Sequence, residues 1–251
     1  MRIIVKQDYE EMSRFGAELI GGQLRMQPDS VLGLATGGTP LGIYTELIRM
    51  HHEAGLDFSK VTTFNLDEYV GLPPEHEQSY AWFMNEHLFR HINVSERFVH
   101  VPNGMHTFDD IPTYCQWYEE AIERAGGLDI QLLGIGANGH IAFNEPSSSL
   151  GSRTRIKTLS KQTRDDNARF FGSEEDVPKY AITMGIGTIM EAREIILAAS
   201  GEAKAEAIRE TIEGPITQMV PASAMQMHRN VILLLDEAAA SRLTKVPLIE
   251  R

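Results

Sequence analysis

Short apolar runs rich in β-branched residues alternate with helix-patterned stretches along nearly the whole chain. The apolar runs predict strands over residues 3–5, 31–35, 61–66, 98–101, 130–135, 181–184, 195–199 and 231–235. Between them the pattern predicts helices over 9–24, 40–52, 80–90, 111–125, 202–212 and 237–243. Strands that alternate with helices are the sequence sign of an α/β fold, a mostly parallel sheet covered by helices. Residues 147–179 fit the alternation worst, being polar and rich in Ser, Arg, Lys, Asp and Glu, and read either as a flap over a site or as a solvated insertion. No repeat, low-complexity tract or Pro/Gly-rich linker marks a boundary, so one domain over 1–251 is expected, with a possible lid within 147–179.

Composition narrows the function more than the fold. A hydrophobic content of 42% is enough for a large core. A formal net charge of -12 disfavours a general nucleic-acid binder, so an anionic substrate would need a local basic pocket. The single cysteine, Cys115, rules out an internal disulfide and fits a reducing compartment; beside Trp117, Tyr118 and Ile122 it reads as a buried helical thiol. The start Met1-Arg2-Ile3-Ile4-Val5-Lys6 is too short an apolar run for a signal peptide, and no stretch approaches a membrane span, so a cytoplasmic location is expected.

Three motifs carry candidate chemistry. In Ala35-Thr36-Gly37-Gly38-Thr39-Pro40 a strand runs into a Gly-Gly turn and a helix, with Thr39 the expected N-cap and Pro40 the first helical residue. Outward N–H groups and the positive end of a helix dipole make such a junction an anion site, and the flanking threonines add hydroxyls. The Lys of a nucleotide-triphosphate loop is absent. Phe64-Asn65-Leu66-Asp67-Glu68-Tyr69 brings two adjacent carboxylates to a strand end. Neighbours on an extended chain point opposite ways, so one can face a pocket while the other is structural.

The third motif, Leu133-Gly134-Ile135-Gly136-Ala137-Asn138-Gly139-His140-Ile141-Ala142-Phe143-Asn144-Glu145-Pro146, leaves a buried strand for a Gly-rich loop holding His140 and Glu145. Its glycines satisfy G-x-G-x-x-G, but Pro146 and the serines after it argue against the helix a dinucleotide site needs, and no acidic residue follows at the ribose position. Basic residues come later: Arg153, Arg155 and Lys157 share one face of an extended segment, followed by Arg164, Arg169 and Lys204. His87 and His91 have i, i+4 spacing without the Glu of a zinc-protease helix and read as surface or packing residues.

Together with Ser152-Arg153-Thr154-Arg155-Ile156-Lys157-Thr158 and Val177-Pro178-Lys179-Tyr180-Ala181-Ile182-Thr183-Met184-Gly185, these motifs make the chain resemble the glucosamine-6-phosphate deaminases over nearly its full length. The resemblance implies a Rossmann-like three-layer α/β sandwich without metal or organic cofactor, acting in amino sugar catabolism. It implies that His140, oriented by Glu145 and by the residue at position 138, opens the sugar ring, and that Asp67 is the enolisation base. Position 138 is Asp in some members; Asn138 can orient His140 but cannot stabilise an imidazolium by charge. Phosphate contacts implied are Thr36, Gly37, Gly38, Thr39, Arg169 and Lys204. The family often forms homo-oligomers, and Ser148, Arg155, Lys157 and Thr158 match part of the N-acetylglucosamine 6-phosphate effector site of longer members. With no Tyr beyond Tyr180, the chain departs from the aromatic tail of those members, which argues against activation. Two other classes share this fold, 6-phosphogluconolactonases and sugar-phosphate-sensing domains of regulators; the second would require a DNA-binding module for which no residues are left.

Overall fold

The computed structural model describes residues 1–173, 175–244 and 249–250, of which Asp166, Arg169, Phe170 and the last two are described by backbone alone. The first half of the chain runs β1 (Arg2–Lys6), α1 (Tyr9–Met26), β2 (Val31–Leu34), α2 (Gly38–Ala54), β3 (Thr62–Asn65), β4 (Asp67–Tyr69), α3 (Tyr80–His87), β5 (Val99–His100) and α4 (Ile111–Arg124). The second half runs β6 (Ile130–Leu133), β7 (Arg155–Thr158), α5 (Lys161–Phe171), β8 (Tyr180–Thr183), α6 (Ile186–Ile189), β9 (Glu194–Ala199), α7 (Ala205–Glu213), β10 (Val231–Asp236), α8 (Glu237–Ala240) and β11 (Ile249–Glu250).

The main sheet has the order β11-β1-β10-β9-β6-β2-β3-β5, with every pairing parallel. Its central strands are buried on both faces. Leu32, Leu34, Ile196 and Leu234 pack with Met12, Ile20, Ile43 and Tyr44 of α1 and α2, while Leu133, Leu197 and Leu235 pack on the other side with Tyr118 of α4 and Ile208 of α7. Burial on both faces is why these strands read as unbroken apolar runs rather than alternating ones. From β2 the chain winds one way through β3 to β5; from β6 it winds the other way through β9 to β10. The reversal lies between β2 and β6, the topological switch point where α/β sheets open a crevice at their carboxyl ends. There Gly33 lies against Gln131, whose side chain fills the space a Cβ would need.

Two expectations change. The run 181–184 does not join the parallel sheet: β8 is the middle strand of a second, antiparallel sheet, β4-β8-β7. The run 61–66 bends at Leu66, so that β3 stays in the main sheet while Asp67 and Glu68 lie on β4 of the second, and Met184 N–H donates to Leu66 O at 2.7 Å across the junction. Hydropathy marks such strands as buried but not which sheet they join. Within 147–179 the chain forms β7 and α5, the helix capped by Ser160, whose hydroxyl accepts from Thr163 N–H. Cys115 is buried in α4, as expected. His87 packs on Phe83, and His91 lies against the Glu86 carbonyl. No described helix is long and apolar enough to cross a membrane.

Candidate active site

The three motifs meet at this switch point. The Gly37 turn leaves β2, the His140 loop leaves β6, and β4 carries Asp67 beyond the end of β3, the neighbour of β2. The turn that leads to Lys204 leaves β9, the neighbour of β6 on its other side.

At the end of β2 the helix begins earlier than the sequence suggests. Gly37, with φ of 100°, is the N-cap of α2 in place of Thr39, and Gly38, Thr39 and Pro40 form its first turn. The positive φ lets the chain reverse directly off the strand, so that helix and strand share one corner. Gly37 and Gly38 are exposed, Thr36 and Thr39 half-buried. The first N–H groups of a helix have no acceptor within it, and no side chain caps this one. Uncommitted N–H groups and the positive end of α2 therefore face the crevice.

Asp67 and Glu68 are both buried, at 6% and 2% exposure, and divide their tasks as alternation predicts. The Glu68 carboxylate accepts the N–H groups of Tyr69 at 2.8 Å, Tyr80 at 3.0 Å and Ala81 at 2.9 Å, which anchors the start of α3 to β4. Burial raises its pKa to about 7 against the opposing pull of these donors. Asp67 pairs with Thr183 across the second sheet, and the Thr183 hydroxyl accepts the backbone N–H of Phe143, in the His140 loop, at 3.2 Å; burial and the neighbouring Glu68 charge push the Asp67 pKa to about 8 against a smaller opposing pull from the backbone. A carboxyl so placed takes and returns a proton near neutral pH.

In the His140 loop two donors meet at one atom. Asn138 Oδ1 lies 3.2 Å from the backbone N of His140 and 2.6 Å from its ring Nδ1. Because the backbone N–H must donate, that atom is an acceptor, so Nδ1 carries the ring hydrogen and Nε2 the lone pair. Gly136 is required beneath the ring, since a Cβ there would collide with it, and Gly139 turns the chain at φ of 81°. The loop closes on itself through Gly136 N–H to His140 O at 2.9 Å. No helix follows, so the glycines serve a turn that aims an imidazole rather than a dinucleotide loop. Ala142 keeps φ of 50°, unusual for a residue with a Cβ, and its neighbour Asn144 ties the loop to Met184 O at 2.8 Å.

The remaining candidates fall in different places. Glu145 is buried, and its carboxylate accepts from Ser160 N–H at 3.2 Å, from Ser160 Oγ at 2.7 Å and from Thr163 Oγ1, all at the start of α5. Lys204 ends a short 3-10 turn, Glu202–Lys204, whose entry is fixed by Asp236: that carboxylate accepts Ser200 Oγ at 2.5 Å and Gly201 N–H at 3.0 Å. Arg169 belongs to α5, but its side chain lies outside the described residues. Arg155, Lys157 and Thr158 lie on β7, and Ser148 Oγ is buried without a hydrogen-bond partner among the described residues. Arg153 leaves the expected basic face: it pairs with Glu119 of α4 at 2.6 Å and with Glu191 at 2.5 Å. Among the described residues no three of His, Cys, Asp and Glu come together in a metal-binding group.

Sequence reasoning did not reach Ser160 and Thr163 as partners of Glu145, nor Tyr9 and Tyr44 behind the Gly37 turn. Each acts through one hydroxyl on a group that folding brings near, and no spacing rule encodes such a contact. The N-cap pattern Ser160-x-x-Thr163 at the head of α5 was the one available signal.

Comparison with known proteins adds an independent line. The family described as glucosamine-6-phosphate isomerases/6-phosphogluconolactonase matches residues 9–234. A glucosamine-6-phosphate deaminase of Thermoanaerobacter sp. (strain X514) is 52% identical over 241 residues, covering 96% of this chain and 94% of the relative. One of Clostridium perfringens (strain 13 / Type A) is 52% identical over 243 residues, covering 97% and 100%. Among solved structures, a monomeric glucosamine-6-phosphate deaminase superposes with a TM-score of 0.93 at 48% identity, covering 96% of this chain and 99% of that one. A 6-phosphogluconolactonase from Trypanosoma cruzi, at a TM-score of 0.77 and 21% identity over 97% of each chain, shares the fold.

Proposed function

The chain belongs to the family of glucosamine-6-phosphate isomerases and 6-phosphogluconolactonases, on its deaminase branch, and from that premise we propose that it converts glucosamine 6-phosphate and water to fructose 6-phosphate and ammonium. The phosphate group lies on the N–H groups of Gly37, Gly38 and Thr39 and the Thr36 hydroxyl, at the positive end of α2, with Lys204 and Arg169 as cationic partners. His140 Nε2 takes the proton of the anomeric hydroxyl; the C1–O5 bond breaks, C1 becomes an aldehyde, and O5 receives a proton. Asp67 then removes the C2 proton while O1 takes one proton from the ammonium group, and the Asp67 carboxyl, whose proton exchanges with solvent, protonates C1. The amine-bearing C2 is left at the imine level, water adds there, and ammonium departs. Asn138 holds the ring in the tautomer this requires, and Glu145 joins the His140 loop to the head of α5.

The observation that supports this reading is the link through Thr183, which pairs with buried Asp67 across the second sheet and whose hydroxyl accepts the N–H of Phe143, three residues from His140, at 3.2 Å. The proposed steps require a base for carbon and a base for oxygen close together, which this link supports. A lactonase would need no carbon base, and a buried carboxyl raised to about 8 would then have no task. The test is ammonium release from glucosamine 6-phosphate, abolished in Asp67→Asn and reduced in His140→Gln, with solvent deuterium entering C1 of the product. No release by the purified wild type would sink the proposal.

The same proposal includes a lid within residues 147–179, carried by α5. α5 places Ala168 and Phe171 against Tyr69, Tyr80 and Phe143, so one apolar cluster joins the lid helix to both catalytic carriers. Ser148, Arg155, Lys157 and Thr158 are the residues an effector phosphate would use, and assays with and without N-acetylglucosamine 6-phosphate decide whether they do. A homo-oligomer would sediment above the 28.1 kDa of one chain; a single species of that mass would rule it out.

A further inference from the structure

The turn between β2 and α2 is held from behind by two tyrosine hydroxyls. Tyr44, fully buried in α2, donates to Ala35 O at 2.5 Å and fixes the chain as it leaves the strand. Tyr9 arrives from a different helix. It is the first residue of α1, set by the Asp8 cap, which accepts Glu11 N–H at 2.9 Å.

The Tyr9 hydroxyl accepts Gly42 N–H at 2.7 Å and shares its own proton between Gly38 O at 2.9 Å and Thr39 O at 3.1 Å. Gly38 and Gly42 stand four apart, the spacing of one helical hydrogen bond, so the hydroxyl bridges a carbonyl and an N–H one turn apart at the start of α2. Room for it depends on glycine at 42: a Cβ there would collide with Ser13 Oγ and come within 2.9 Å of the Tyr9 ring. An ordinary helix start needs no such brace, since its first carbonyls are satisfied from within. Here the exposed side of the turn is glycine, which has more backbone freedom to lose than any other residue. Rigidity at this corner therefore comes from outside the helix.

We propose that Tyr9 is a positioning residue for phosphate recognition, its hydroxyl holding the first turn of α2 so that the Gly37, Gly38 and Thr39 N–H groups stay aimed at the phosphate of the substrate. The proposal rests on reading that turn as the phosphate site. Tyr9 touches no reacting atom, and its effect belongs to binding rather than to proton transfer.

The experiment compares wild type with Tyr9→Phe and Gly42→Ala in steady-state kinetics and in competitive inhibition by inorganic phosphate. Losing one hydroxyl that bridges three backbone groups of this turn is expected to raise KM and the inorganic phosphate Ki together by about tenfold, with kcat within about twofold. Gly42→Ala, which displaces the hydroxyl sterically, moves both constants the same way. Unchanged KM and Ki in Tyr9→Phe, or a fall in kcat with both constants unchanged, overturns the proposal. Thermal unfolding of each variant separates a binding effect from a folding one: KM and Ki unchanged in the folded fraction also overturns it. If wild type releases ammonium but inorganic phosphate does not compete, the phosphate reading of the turn fails and Tyr9 with it; if wild type releases no ammonium, the deaminase reading itself fails, a different result.

Discussion

Asp67 meets two opposed demands in one side chain. As a base it must be ionised, yet it is buried beside a second carboxylate, which holds its proton on to about 8. Activity is therefore expected to rise with pH through about 8, read as kcat/KM. Stability moves the other way. The folded state keeps the Asp67 proton to about 8, while the unfolded chain loses it near the ordinary value of 3.8, so between these limits the folded state binds more protons and stability falls as pH rises. Asp67→Asn removes that dependence. Its Tm should exceed wild type by a margin that grows from pH 4 to pH 8, while deamination falls by at least about a thousandfold. A constant margin would mean Asp67 titrates as an exposed carboxyl. His140 gives a second check: in Asn138→Asp a charge replaces the neutral acceptor at Nδ1, so the imidazolium is favoured and the ring titrates at higher pH, as 15N resonances would show. An unmoved midpoint would exclude electrostatic coupling across that bond.

At the scale of elements, α5 and the His140 loop are joined at one point, the Glu145 carboxylate held by Ser160 and Thr163. Ser160→Ala removes the N-cap of α5 together with one of these bonds. A lost cap costs about 1 kcal/mol, and the cost should be local: faster amide exchange along α5, with the main sheet unaffected. Were exchange to rise equally in β6 and β9, α5 would be no separate unit of stability. The second sheet follows the same logic. β4 pairs with β8, Glu68 ties β4 to the start of α3, and Phe143 N–H and the Asn144 side chain bond to Thr183 and Met184, so the carriers of Asp67 and His140 are fixed by elements outside the parallel sheet.

At the scale of the molecule, a net charge of -12 surrounds a site meant for a phosphate ester. At low salt that field repels the substrate, and at about 0.1 M it is screened beyond about 10 Å while the local N–H groups and cations still act. KM should accordingly be highest at the lowest ionic strength; a steady rise with added sodium chloride would show that local charge dominates at every range. The sequence by itself determined the strand-helix alternation, the buried central strands and the three glycine-bearing or acidic strand ends, because periodicity, turn chemistry and composition are local properties. It also carried the family resemblance, since long motifs survive in order. Tertiary structure decided the rest: that β4 and β8 leave the parallel sheet, that α2 starts at Gly38, that Arg153 pairs away from the site, and that Tyr9 braces a turn 29 residues away. All but the start of α2, which turns on the positive φ of Gly37, are contacts between segments distant in sequence, fixed by which surfaces remain to be buried and which donors remain to be satisfied once the sheet has formed.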